Sequence, residues 1–109
     1  MKYIIAIIQP DKMDDVLAEL EKNGIHYATV TPVLGRGRQR GVSAVYRSHK
    51  EVGSLLKKTK IEIALPDNEI ASAVEAITKG ARTGNIGDGK IFVMNMESSI
   101  RIRTAEKTW

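Results

Sequence analysis

The sequence predicts an α+β fold, one antiparallel sheet carrying both helices on one face, on the strength of three observations. Each half of the chain reads strand, helix, strand; each helix is entered through Pro-Asp, at Pro10-Asp11 and Pro66-Asp67; and twenty-one residues of little periodicity, Gly35 to Leu55, separate the halves. Two such halves sharing one sheet make a βαββαβ sandwich of the ferredoxin-like type with a long loop between strands 2 and 3.

Tyr3-Ile4-Ile5-Ala6-Ile7-Ile8 is rich in β-branched residues and predicts the first strand, closed by Pro10. Asp11 is the expected N-cap of the first helix. Met13, Val16, Leu17 and Leu20 then recur at i, i+3, i+4 and i+7, one apolar stripe on a helix reaching about Asn23, with Gly24 as its stop. Strand two is expected from Tyr27 to Leu34. In the second half Ile61 to Leu65 is the next strand, Ile70, Val74 and Ile77 form the second helical stripe, ended by Gly80, and Lys90 to Met94 is the last strand of the sheet. Loops as long as 35–55 are uncommon in compact domains and are usually functional or disordered.

At 109 residues the chain has room for one domain, 1–109, and one hydrophobic core. The absence of cysteine excludes disulfides, thiolate metal sites and a cysteine nucleophile, and agrees with a reducing cytoplasm. Its longest apolar run, Tyr3 to Ile8, is too short to cross a bilayer, so a soluble, cytoplasmic protein without membrane insertion is expected. The net charge of +4 is unevenly placed: Leu34 to Lys60 holds eight Lys and Arg against the single acid Glu51, a local +7 that leaves −3 for the rest. Such a field recruits anions, be they phosphates, carboxylates or nucleic acid.

Three segments carry the chemistry. Gly84-Asn85-Ile86-Gly87-Asp88-Gly89-Lys90 fits G-x-x-x-x-G-K, but Ile91 follows where a P-loop needs Ser or Thr for magnesium, and the segment leads into a strand. A Walker site is therefore rejected, leaving either a glycine cradle for an anion, with Lys90 beside it, or a plain tight turn. Arg101-Ile102-Arg103, if extended, points two guanidinium forks to one face, which suits a polyphosphate or else a solvated edge strand. Gly35-Arg36-Gly37-Arg38-Gln39-Arg40-Gly41 has Arg40 at the third glycine's place and opens no helix, so a Rossmann site is excluded while a backbone nest among arginines is retained. For catalysis, His26 and His49 are the only histidines, one after a helix stop and one in the loop. No nucleophile-base pair or metal-ligand spacing accompanies them.

Taken together, Gly35 to Gly41, Tyr46-Arg47, Lys58 to Ile63, Ala81 to Gly84, Ile86 to Val93 and Ile100 to Thr104 resemble the PII nitrogen-regulatory signal-transduction family along the whole chain. The resemblance implies a homotrimer that binds ATP or ADP in clefts between neighbouring subunits and docks on protein targets through the 35–55 loop. By the family pattern Gly35, Gly37, Arg38, Gln39, Gly87, Asp88, Gly89 and Lys90 surround the nucleotide's phosphates. Arg101, Ile102 and Arg103 approach from the adjoining subunit, and Thr29, Glu62 and Ala64 lie near adenine and ribose. The resemblance further implies 2-oxoglutarate bound with MgATP at Gln39, Lys58 and Gly87, Gln39 giving its amide oxygen to Mg²⁺. A neutral amide is a weak magnesium ligand, so the ion, ATP and the oxoacid are expected to bind interdependently.

Departures from the family pattern bear on regulation. Glu51 stands where many bacterial relatives carry a uridylylated tyrosine, so no nucleotidylation is expected there, and His49 replaces a serine phosphorylated in some relatives. Arg36 replaces a usual aromatic and Lys57 a usual proline, whereas Arg47, which in relatives plugs an ammonium-transporter pore, is retained. The expected function is thus non-catalytic regulation of an ammonium transporter or a nitrogen-metabolism enzyme. An RNA-binding module of the same fold is the alternative, but Phe92 is the only phenylalanine, and base-stacking runs of aromatics are missing, so no nucleic-acid partner is expected.

Overall fold

The structure, a computed structural model, describes residues 1–37 and 55–108. Its elements in chain order are β1 (Lys2–Ile8), α1 (Met13–Lys22), β2 (Thr29–Gly35), β3 (Leu56–Leu65), α2 (Ile70–Ala81) and β4 (Gly89–Asn95), with short 3₁₀ turns at Pro10–Lys12 and Asp67–Glu69. The four strands form one sheet in the order β2-β3-β1-β4, every neighbouring pair antiparallel. β1 and β2 therefore run parallel with β3 between them, as do β3 and β4 with β1 between them. Each parallel pair needs a crossover, and α1 and α2 supply the two. This is the ferredoxin-like α+β architecture expected from the order of elements.

Alternation along the strands assigns the faces. Ile4, Ala6 and Ile8 of β1 and Ile61, Ile63 and Leu65 of β3 are buried beneath the helices, which contribute Val16 and Leu20 from α1 and Ala73, Ala76, Ile77 and Ala81 from α2. Burying each of the larger side chains contributes about 1.5–3 kcal/mol relative to exposure. The cross-strand register puts the alternate residues on the opposite, helix-free face: Tyr3 and Ile5 of β1, Lys60, Glu62 and Ala64 of β3, Thr29 of β2, and Lys90, Phe92 and Met94 of β4.

Gly24 ends α1 as expected, at φ 78°, with the Ile25 N–H returning to the Leu20 carbonyl and the Gly24 N–H to that of Glu21. Three local expectations are corrected. Asp11 is not an N-cap: it sits inside the Pro10–Lys12 turn, and neither that turn nor α1 has a side-chain cap. Gly80 does not stop α2, which runs through Ala81; a Cβ there would lie 2.7 Å from the Val16 Cα, so the glycine lets the two helix backbones touch. Arg101–Arg103 is not a strand. Ile100 bridges Lys107, and a turn with Ala105 at φ 58° joins them, so the two arginines have no common strand face.

Two boundaries also move. β2 begins at Thr29 rather than Tyr27, and β3 begins at Leu56 rather than Ile61, its polar start Leu56-Lys57-Lys58-Thr59-Lys60 being held by pairing with β2 and β1 rather than by any apolar pattern. Among the described residues no helix is long and apolar enough to cross a membrane.

Candidate functional site

Strand pairing gathers Gly35, Lys58, Gly87, Asp88, Gly89 and Lys90 at one end of the sheet. Ile8 is paired with Thr59 on one side and with Gly89 on the other, so the base of β3 and the first residue of β4 emerge together. Val33 faces Lys58 and Gly35 faces Leu56 across the β2–β3 pair. A Cβ built on Gly35 would meet the Lys58 Cγ at 3.5 Å, so the end of β2 lies against the Lys58 stem. The Lys58 Nζ donates to the Gly87 carbonyl at 3.3 Å, tying β3 to the glycine segment that precedes β4. Partial burial of Lys58 pushes its ammonium below the usual lysine range, an effect that nearby Asp88 opposes.

The glycine segment is a shaped loop. Gly84, Gly87 and Gly89 have φ of 93°, 104° and 116°. At Gly89 a Cβ would come within 1.8 Å of the Ile7 carbonyl oxygen, so both the left-handed backbone and the close approach to β1 require glycine there. The Asp88 carboxylate accepts the backbone N–H groups of Thr83 and Gly84, each at 2.8 Å, and the Thr83 hydroxyl. Those bonds hold its carboxyl below the usual range. Lys90 pairs with Ile7 and projects from the helix-free face beside this loop.

Thr29, Glu62 and Ala64 lie farther along the same face. Thr29 is the direct cross-strand partner of Glu62, and Ala64 that of Tyr3. Glu62 lies four positions along β3 from Lys58, roughly 13 Å at ordinary strand rise. The Tyr3 hydroxyl donates to Glu62 Oε2 at 2.7 Å, and the Lys60 Nζ stands 3.6 Å from Glu62 Oε1. That hydrogen bond, with burial and the carboxylate charge behind it, raises the Tyr3 phenol above its usual range.

Arg101, Ile102 and Arg103 belong to the Ile100–Lys107 hairpin, whose backbone bonds, from the Arg101 N–H to the Glu106 carbonyl and from the Ala105 N–H to the Arg101 carbonyl, are internal. All three residues are exposed, Ile102 to 97%. Neither arginine forms an ion pair among the described residues. Gly37 ends the first described stretch, and Arg38, Gln39, Arg47, His49 and Glu51 lie outside the described residues.

Thr83 and Tyr3 were assigned no role in the site by sequence reasoning. Thr83 was legible, since a Thr-Gly step shortly before an aspartate is the composition of a side-chain-capped turn. The Tyr3–Glu62 bond was not, because it depends on the β1–β3 register.

Comparison with known proteins points in one direction. The family model described as Nitrogen regulatory protein P-II matches residues 1–106. Nitrogen regulatory protein P-II 2 of Methanothermobacter thermautotrophicus is 50% identical over 106 residues, covering 97% of this chain and 92% of that protein. Nitrogen regulatory protein P-II of Mesorhizobium japonicum is also 50% identical, over 97% of this chain and 95% of its own length. Among solved structures, Arabidopsis thaliana PII bound to citrate superposes with a TM-score of 0.78 at 34% identity, covering 97% of this chain and 83% of that one. With strands, helices and glycine loop matched from residue 1 to residue 106, the chain belongs to the nitrogen regulatory protein P-II family.

Proposed function

We propose that the chain is a non-catalytic signal-transduction protein of nitrogen metabolism, a single signalling domain over 1–109 that binds ATP or ADP in clefts between the subunits of a homotrimer. The observation that carries this reading is the Lys58–Gly87 contact, which joins a lysine-bearing strand to a glycine loop at one end of the sheet. Around it, Gly35, Gly37, Gly87, Gly89 and Lys90 offer backbone amides and positive charge for phosphates, with Arg38 and Gln39 expected from the adjoining segment. Thr29, Glu62 and Ala64 would take the base and ribose along the face, while Asp88 belongs to the phosphate loop.

The trimer is supported by what one chain leaves uncovered. Phe92 and Met94 on the helix-free face are 46% and 43% exposed, and Ile100 and Ile102 on the hairpin 58% and 97%. Exposed apolar groups clustered on a sheet face mark an interface. Arg101, Ile102 and Arg103, whose two guanidinium groups form no ion pair among the described residues, would complete a neighbour's cleft, where guanidinium forks suit phosphate oxygens.

With MgATP bound, 2-oxoglutarate would lie at Gln39, Lys58 and Gly87. The fit on the described side is chemical: a partly buried ammonium meets a dicarboxylate. The citrate held by the Arabidopsis relative shows that a family member accepts a polycarboxylate. Mg²⁺ would be held by Gln39 together with ATP and the oxoacid, which is why their binding would be interdependent. Occupancy would then reselect conformations of the 35–55 segment, through which Arg47 would meet an ammonium transporter or a nitrogen-metabolism enzyme in the cytoplasm.

Isothermal titration with ATP, ADP and MgATP plus 2-oxoglutarate, with light-scattering mass measurement of the same sample, tests this. Nucleotide binding by a particle three times the 12.0 kDa chain mass is expected. A monomer, or a trimer indifferent to adenine nucleotides, defeats it.

A further inference from the structure

We propose that Asp88 acts as the positioning residue of the glycine loop rather than as a ligand of the phosphates. The inference rests on the nucleotide reading above and adds to it a division of labour within residues 83–89. A carboxylate beside a polyphosphate is repulsive, so a direct role for its side chain would oppose binding. The structure gives it another task. Its oxygens face back along the chain and accept the Thr83 N–H, the Gly84 N–H and the Thr83 hydroxyl. The Thr83 Oγ1 in turn accepts the Asn85 N–H at 3.2 Å, and the Asp88 N–H donates to the Asn85 carbonyl at 3.3 Å.

The amides of Thr83, Gly84, Asn85 and Asp88 are thereby all engaged inside the loop. Those of Ile86 and Gly87 make no hydrogen bond among the described residues. One carboxylate thus closes a turn that leaves two N–H groups at its crest free for an anion, and the Gly87 carbonyl on the same crest is held by Lys58. An anion site whose donors are fixed before the ligand arrives avoids the ordering cost that a slack glycine loop would bring to binding.

The test compares Asp88→Ala, Asp88→Asn and Thr83→Val with the unchanged trimer in ATP and ADP titrations, and follows amide hydrogen exchange of residues 83–89 without nucleotide. Asparagine keeps one carbonyl acceptor for the two backbone N–H groups and places an amide donor at the hydroxyl, so it should retain affinity to within about 3-fold. Asp88→Ala should weaken both nucleotides by about 10-fold or more, and Thr83→Val by less. Loop amides should exchange faster in the alanine variant before any ligand is added. Coulomb repulsion alone predicts the reverse sign, tighter binding for both neutral variants. The proposal is overturned if alanine binds as well as or better than the parent, if asparagine loses as much as alanine, or if exchange in the loop is unchanged. If the unchanged protein binds neither nucleotide, the nucleotide reading falls, and the exchange arm still decides whether Asp88 holds the loop.

Discussion

Lys58 reaches across twenty-nine residues of sequence to donate its ammonium to the Gly87 carbonyl at 3.3 Å. Because Ile8 pairs with both Thr59 and Gly89, this contact lies where the start of β3 and the start of β4 flank the end of β1. An anion that drew Lys58 to itself would change what holds the glycine loop, so the proposed oxoacid site and the loop would share one residue.

Removing that ammonium should therefore separate two responses. Lys58→Ala is expected to reduce 2-oxoglutarate affinity in the presence of MgATP by about 10- to 100-fold, the loss of one charge-assisted bond of about 1.5–3 kcal/mol. ATP affinity should change by less than about 3-fold. Calorimetric titration reads both, and equal losses for both ligands would place Lys58 in the nucleotide subsite instead.

If the Arg101–Arg103 turn serves a neighbour, binding defects should complement between chains. Trimers of Arg101→Ala/Arg103→Ala alone and of Lys90→Ala alone should each bind ATP weakly. Trimers refolded from a mixture should regain some clefts that pair an intact loop with intact arginines. Fluorescent-nucleotide titration of the mixture measures the recovery. Its absence would put the arginines to work within their own chain.

The Tyr3–Glu62 bond predicts a pH dependence whose sign follows from the raised phenol. A folded-state pKa above the unfolded value near 10 means that the contribution is fully present below about pH 10 and is lost as pH rises through the folded value. The stability of the parent against denaturant should fall over that interval. Tyr3→Phe, less stable by about 1 kcal/mol at neutral pH, should lack this component. Parallel pH profiles for the two proteins would contradict the assignment.

Gly80→Ala and Gly89→Ala should both destabilise, for different reasons. At position 80 the new methyl meets the Val16 backbone at 2.7 Å, and helix separation should cost about 1–3 kcal/mol. At position 89 the methyl meets the Ile7 carbonyl and the backbone stands at φ 116°, so a larger loss is expected, together with weaker ATP binding because the adjoining loop shifts. Urea denaturation orders the two. A neutral Gly80→Ala would show that the helices can part without loss.

By itself the sequence determined the order of elements, the apolar stripes of α1 and α2 and the end of α1. Each of these follows from short-range apolar periodicity or from a glycine whose conformation is local. It also marked the glycine segment and Lys58 as one family pattern. The start of β3, the role of Gly80, the turn at Arg101–Arg103 and the inward-facing Asp88 were decided by tertiary structure. Leu56 to Lys60 is a strand because β1 and β2 supply its hydrogen bonds, and Gly80 is required because Val16, on another helix, lies against it. Such requirements are imposed by atoms distant in the chain, so no window of neighbouring residues records them.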